Sequence, residues 1–141
     1  RAFNNFSERI KKVRKDLINF LNKNYPIAGY GASTKGNIVL NYCNIDSSQM
    51  SFICDANKQK EGKYTPGSNI KIISKKKMRV LKPKYILVLI WSFRSEIIKQ
   101  ELNYIKEGGN LIFHLPKFHI VNKENYKNFI NKDFKNFSYK Y

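Results

Sequence analysis

Cysteine is scarce: Cys43 and Cys54 are the only two, eleven positions apart, with no C-x-x-C pair and no histidine beside either. That excludes a disulfide scaffold and leaves zinc without a ligand set. Each lies in an apolar stretch, where a free thiol behaves as a small hydrophobe, so both read as reduced core residues of a cytoplasmic protein. Long apolar runs are missing too. The longest, Tyr85 to Trp91, has seven residues, against the roughly 20 needed to span a bilayer, and it reads as a strand covered on both faces. The chain opens on Arg1, without the basic head, apolar middle and small-residue cleavage site of a signal peptide. We expect a piece of a longer cytoplasmic polypeptide with no membrane partner.

Acidic residues are the other shortage. Ten Asp plus Glu against 27 Lys plus Arg leave a formal net charge of +17, which is the footprint of a phosphate-bearing partner. Arginine supplies only five of the 27 (Arg1, Arg9, Arg14, Arg79, Arg94), while Asn and Ile occur 17 times each. Abundant Lys, Asn, Ile and Tyr together are what an AT-biased genome produces everywhere, and readers of nucleic acid favour the arginine fork. Most of the charge therefore reads as solvated surface, and nucleic acid is not the expected partner. A basic nucleic-acid-binding module stays as an alternative.

The 141 residues, 42% of them hydrophobic, suffice for one core. Apolar positions at Phe6, Ile10, Val13, Leu17 and Leu21 make one stripe of an N-terminal amphipathic helix that Pro26 ends. Ile27-Ala28 reads as a short buried strand, Gly29 to Gly36 as a glycine turn, and Asn37 to Cys43 as a helix. Phe52 to Cys54 is a second strand, Ala56 to Asn69 an irregular loop, Ile70 to Ile73 a third strand, and Ser74 to Leu81 a short helix or turn. After the long apolar strand, Phe93 to Glu107 has helical spacing stopped by Gly108-Gly109, and Leu111 to Phe113 is a last strand ended by Pro116. The order predicts an α/β fold: an open, mainly parallel sheet of about five strands with flanking helices. Residues 1–25 are expected to lead in, 26–116 to form the domain, and 117–141 to be a C-terminal helix and tail, the helix marked by Tyr126, Phe129 and Ile130. The tail from Lys132 is expected to pack on the surface. His114 and His119 flank Pro116 and read as satisfied structural histidines.

The glycine turn sits where backbone N–H groups and a helix end can hold phosphate. Its spacing departs from G-x-G-x-x-G, since Thr34 stands where the third glycine belongs and Gly36 comes two positions later. It also departs from the Walker loop, because Asn37 and Ile38 follow Gly36 in place of Lys and a hydroxyl residue. Ser33, Thr34 and Lys35 suit a phosphate or diphosphate; equally, the glycines serve only close packing of a tight turn. Asp55, 26 residues after Gly29, stands where a dinucleotide domain keeps its ribose-binding acid, or caps and fixes a loop. A nicotinamide-binding oxidoreductase domain is thereby the other alternative.

Gly29-Tyr30-Gly31-Ala32-Ser33-Thr34-Lys35-Gly36-Asn37, then Leu40-Asn41-Tyr42-Cys43, Gly62-Lys63-Tyr64-Thr65-Pro66-Gly67, Trp91 with Phe93, and Gly108-Gly109 resemble, in unbroken order, the C-terminal domain of the sugar C-methyltransferase family. Thr34, Asn44, Lys71 and Ser92 depart from its usual residues. The resemblance implies a Rossmann-like domain that holds a nucleotide-diphosphate sugar against the central domain of a methyltransferase of deoxysugar biosynthesis. S-adenosylmethionine and zinc would belong to upstream domains of the same polypeptide, with no cofactor, metal or catalytic residue in this piece. It implies contacts from Tyr30, Gly31, Ser33, Thr34, Lys35 and Asp55 around the turn. Lys63, Tyr64 and Thr65 would line the pocket from the long loop, with Trp91 and Phe93 as an apolar wall.

Overall fold

A computed structural model of the chain describes residues 2–132 and 134. In α1 (Ala2–Asn24), Leu17 and Leu21 are buried on one stripe while Lys11, Lys12 and Lys15 stay in water. Pro26 follows, and β1 (Ile27–Tyr30) runs buried into the glycine turn. Next come α2 (Thr34–Tyr42), β2 (Met50–Asp55), β3 (Ile72–Ser74), α3 (Lys75–Leu81) and β4 (Tyr85–Val88). The remaining elements are α4 (Arg94–Gln100), α5 (Leu102–Lys106), β5 (Asn110–Phe113) and β6 (His119–Val121).

One sheet of order β3-β2-β1-β4-β5-β6 results, its first five strands parallel and β6 antiparallel to β5. Period-two alternation splits the core into two layers. Ala28, Cys54, Ile86 and Val88 face α3, α4 and α5 through Met78, Ile97, Ile98 and Ile105. Ile27, Ile53, Leu87 and Ile112 face α1 and α2 through Leu17, Leu21 and Leu40. This is the expected Rossmann-like architecture with helices on both faces. Cys43 and Cys54 fall in different layers, both buried and unbridged. Burial pushes their thiols up to about 11 and about 12, so they stay neutral.

The structure differs from expectation in particular places. A sixth strand, β6, forms from a stretch read as polar tail. β4 ends at Val88, and a 3-10 turn, Trp91–Phe93, takes the end of the apolar run. The single helix expected over Phe93 to Glu107 is two, interrupted at Glu101, whose backbone (φ −105, ψ 25) leaves the helical region. Its carboxylate explains the break. It turns inward to accept from Arg79 Nε at 2.9 Å, Arg79 Nη2 at 2.7 Å and the Tyr30 hydroxyl at 2.7 Å. Tyr126, Phe129 and Ile130 give a 3-10 turn, Tyr126–Asn128, in place of a helix. Apart from Lys132 and Phe134, the surface packing expected of the tail lies outside the described residues.

Candidate functional site

At the carboxyl ends of β1 and β2, between α2 and the loop 56–71, lies a cleft of about 300 Å³. Its wall is the glycine turn. Gly31 has φ +93, and a Cβ there would come 2.8 Å from Ile90 beyond β4, so this glycine permits close packing of the turn on the neighbouring strand. Asp55, ending β2, fixes the same turn. Its Oδ2 accepts from Ala32 N at 2.8 Å and its Oδ1 from Asn57 N at 2.8 Å. The ammonium of Lys60 reaches back across the turn, donating to the Ala32 carbonyl at 2.8 Å with Asp55 Oδ2 at 3.9 Å.

Ser33 caps α2, its hydroxyl accepting from Gly36 N at 3.0 Å. The first amides of α2 and its positive end therefore border the cleft, beside the exposed Thr34. The opposite wall is Lys63, Tyr64 and Thr65. Thr65 is 4% exposed and committed to the loop: its Oγ1 lies 2.5 Å from Ser68 Oγ and accepts from Ile70 N at 2.9 Å. Tyr64 is 56% exposed, and Lys63 is exposed. The groups free to meet a ligand are thus Thr34, Lys63, Tyr64 and the helix end, with the Lys60 ammonium at the border of the cleft, held by Ala32 and Asp55. These bind anions and stack on flat groups; the lining holds no histidine, and no carboxylate, to take a proton.

Of the residues predicted from sequence, the cleft gathers Ser33, Thr34, Lys63, Tyr64 and Thr65, with Gly31 and Asp55 shaping its wall. Lys35 is exposed on α2 and does not line it. Tyr30 does not line it either, being 1% exposed in the opposite core layer. Burial, and then Glu101, push the Tyr30 phenol up. Burial alone would raise the Glu101 carboxyl, but the hydrogen bonds from Arg79 and Tyr30 outweigh it and hold it low. Trp91 and Phe93 stand beyond β4, outside the lining. Trp91 packs edge-on against Phe134 with ring centroids 5.5 Å apart, and Phe93 is 53% exposed. Sequence reading missed Lys60, five residues past Asp55 in a polar loop, and Asn37, which stands in the glycine motif without a role assigned.

The histidines divide. His119 stacks between Phe113 and Phe129, ring centroids 5.2 Å away on each side. Its Nδ1–H donates to the Lys117 carbonyl at 2.6 Å, which leaves Nε2 to accept from Arg94 Nη1 at 3.0 Å. His114, by contrast, is not satisfied: it is 1% exposed and its Nδ1 has no hydrogen-bond partner among the described residues.

An open, mainly parallel sheet with a glycine turn after its central strand and a basic cleft beside it defines a Rossmann-like domain. The family model of the C-methyltransferase C-terminal domain matches residues 1–116, and the chain belongs to that family. It is 32% identical over 125 residues to the C-methyltransferase NovU of Streptomyces niveus, a match covering 88% of this chain and 30% of that protein. The chain thus spans under a third of its relative's length. Its own donors do not suit zinc, since both thiols are buried and neutral on opposite sides of the sheet, and among the described residues no three His, Cys, Asp or Glu side chains cluster. Also among the described residues, no helix is long and apolar enough to cross a membrane.

Proposed function

We propose that the domain holds the nucleotide-diphosphate sugar of an S-adenosylmethionine-dependent C-methyltransferase of deoxysugar biosynthesis working in the cytoplasm. The methyl donor, zinc and the catalytic base are assigned to upstream domains of the polypeptide, and the cleft presents the sugar nucleotide to them. One observation supports this reading: Lys60, Lys63, Thr34 and the positive end of α2 converge on one cleft whose lining holds neither histidine nor carboxylate. The diphosphate lies against the two ammoniums and the helix end, where negative charge is favoured. Tyr64 offers a face to the nucleoside or the sugar. A nicotinamide dinucleotide finds less support, because the acid that would hold its ribose, Asp55, is engaged by Ala32, Asn57 and Lys60.

Thermal unfolding of the full methyltransferase with millimolar dTDP-glucose or UDP-glucose tests it. Ligand at 100 times its dissociation constant stabilises by about 2.7 kcal/mol, a rise of several degrees. That rise is expected to vanish in a Lys60→Ala, Lys63→Ala variant and to be absent with NADH. Protection by NADH, or none by either sugar nucleotide, overturns the reading.

A further inference from the structure

A second concavity, about 440 Å³, lies between α1 and the last residue of α2, lined by Lys11, Arg14, Lys15, Ile18, Asn19 and Tyr42. It sits at the far end of α2 from the cleft, since Thr34 opens that helix and Tyr42 closes it. The spacing of Lys11, Arg14, Lys15 and Ile18 places them on one face of α1, with Lys11 and Lys15 in water and Arg14 at the border with the buried stripe of Leu17 and Leu21. Like charges three and four apart on a helix repel and destabilise it. Among the described residues no carboxylate pairs with any of the three. The ion pairs among the described residues are Lys12–Asp16, Lys60–Asp55, Arg79–Glu101 and Lys82–Glu107, and none involves these three cations.

Arg14 is the telling residue. Arginine is rare here, so the lysine-rich composition does not account for it. Its guanidinium lies 5.4 Å over the Tyr42 ring, and its Nε is buried with no hydrogen-bond partner among the described residues. One turn earlier on α2, Ile38 is 63% exposed, and Tyr42 itself is 43% exposed. Ile38 and Tyr42 thus make an exposed apolar strip on α2 that ends, at Tyr42, among three cations without an ion pair, as at a recognition surface whose centre is apolar and whose rim is charged.

We propose that this groove docks an acidic polypeptide segment, its carboxylates on Lys11, Arg14 and Lys15 and an aliphatic side chain on Ile18, Ile38 and Tyr42. Charge complementarity commits the occupant to an anion, and the floor decides its class. A nucleic-acid strand calls for free aromatic faces on which bases stack. Here the one aromatic ring is covered by Arg14, and the other apolar groups are aliphatic.

Fluorescence anisotropy of the 141-residue chain with a labelled Glu-Glu-Leu-Glu-Glu-Leu peptide, at about 150 mM salt so that diffuse attraction is screened, tests the proposal. Lys11→Glu with Lys15→Glu is expected to weaken binding at least tenfold. The control, Lys76→Glu with Lys77→Glu on α3, makes the same change in net charge at two exposed positions elsewhere and is expected to weaken it less than twofold. Both variants are expected to melt like the parent and to keep the sugar-nucleotide response, which separates this surface from the cleft. No binding, equal weakening by the control, or tighter binding of a twelve-residue oligothymidylate overturns the proposal, the last in favour of nucleic acid.

Discussion

His114 is a titratable ring placed where its charge finds no partner. Burial lowers it to about 4, whereas in the unfolded chain an ordinary histidine titrates near 6.5. Between those values the unfolded chain binds more protons than the folded one, so stability falls as pH falls through that window. The two pKa values set the full effect at about 3 kcal/mol, all of it absent above neutrality. His114→Leu removes both the proton site and the orphaned Nδ1. Because deleting an unsatisfied buried polar group while keeping its volume is close to neutral, the variant is expected within about 1 kcal/mol of the parent near pH 7.5. Near pH 4.5 it is expected to be the more stable of the two. Urea unfolding at both pH values checks this, and parallel curves would mean that the ring finds a proton partner after all.

Among the elements, the loop 56–71 decides whether there is a cleft, and α2 pins it. Asn41 Nδ2 donates to the Pro66 carbonyl at 3.2 Å, and Ser68 Oγ donates to Asn37 Oδ1 at 3.2 Å. Gly67, at φ +76, brings its Cα so close that a Cβ would sit 2.6 Å from Asn41 Oδ1. Gly67→Ala meets both the left-handed backbone penalty and that contact, together about 1–2 kcal/mol charged to the loop alone. Amide exchange across residues 63–70 is expected to quicken about tenfold, since 1.4 kcal/mol is a factor of ten. Sugar-nucleotide protection should weaken with it while the melting temperature of the domain moves by no more than a few degrees; unchanged loop exchange would show that α2 does not hold it. The first five strands and the helices α1 to α3 were legible, to within a few residues, from apolar spacing, because that signal is a sequence-local periodicity, whereas β6, three residues in a polar stretch, carried too little of it. The break at Glu101 was not, because its cause is a carboxylate reaching Arg79 and Tyr30, 22 and 71 positions away. For the same reason the cleft was half legible. Ser33, Thr34 and Lys63 to Thr65 stand in motifs, whereas Lys60 gains its place only when the loop doubles back onto Ala32.

At the scale of the whole molecule, the family match ends at residue 116 but the fold does not. β6 covers the otherwise open edge of β5, pairing Leu111 with Val121, Ile112 with Ile120 and Phe113 with His119. Val121 is fully buried, Tyr126, Phe129 and Ile130 pack on its layer, and Phe118 and Ile120 close the other. Arg94, 6% exposed, depends on the same segment, with His119 as its acceptor and the rings of Phe129 and Phe134 at 4.7 and 4.4 Å. Its guanidinium is thus sheltered by aromatic faces and one imidazole in place of a carboxylate. Each of these apolar side chains contributes about 1–2 kcal/mol, so together they rival the roughly 5–15 kcal/mol that holds a domain folded. A chain cut after Pro116 keeps every motif of the family yet exposes Phe113, the edge of β5 and an unsheltered Arg94. It is therefore expected to lose its cooperative melt by circular dichroism and to elute as aggregate from a sizing column, the outcome of an uncovered apolar edge. A truncated chain that stayed monomeric and melted within about 5 °C of the parent would show instead that the sheet is complete at β5 and that β6 merely rests on it, since such a shift in a chain of this size is worth only about 1–2 kcal/mol.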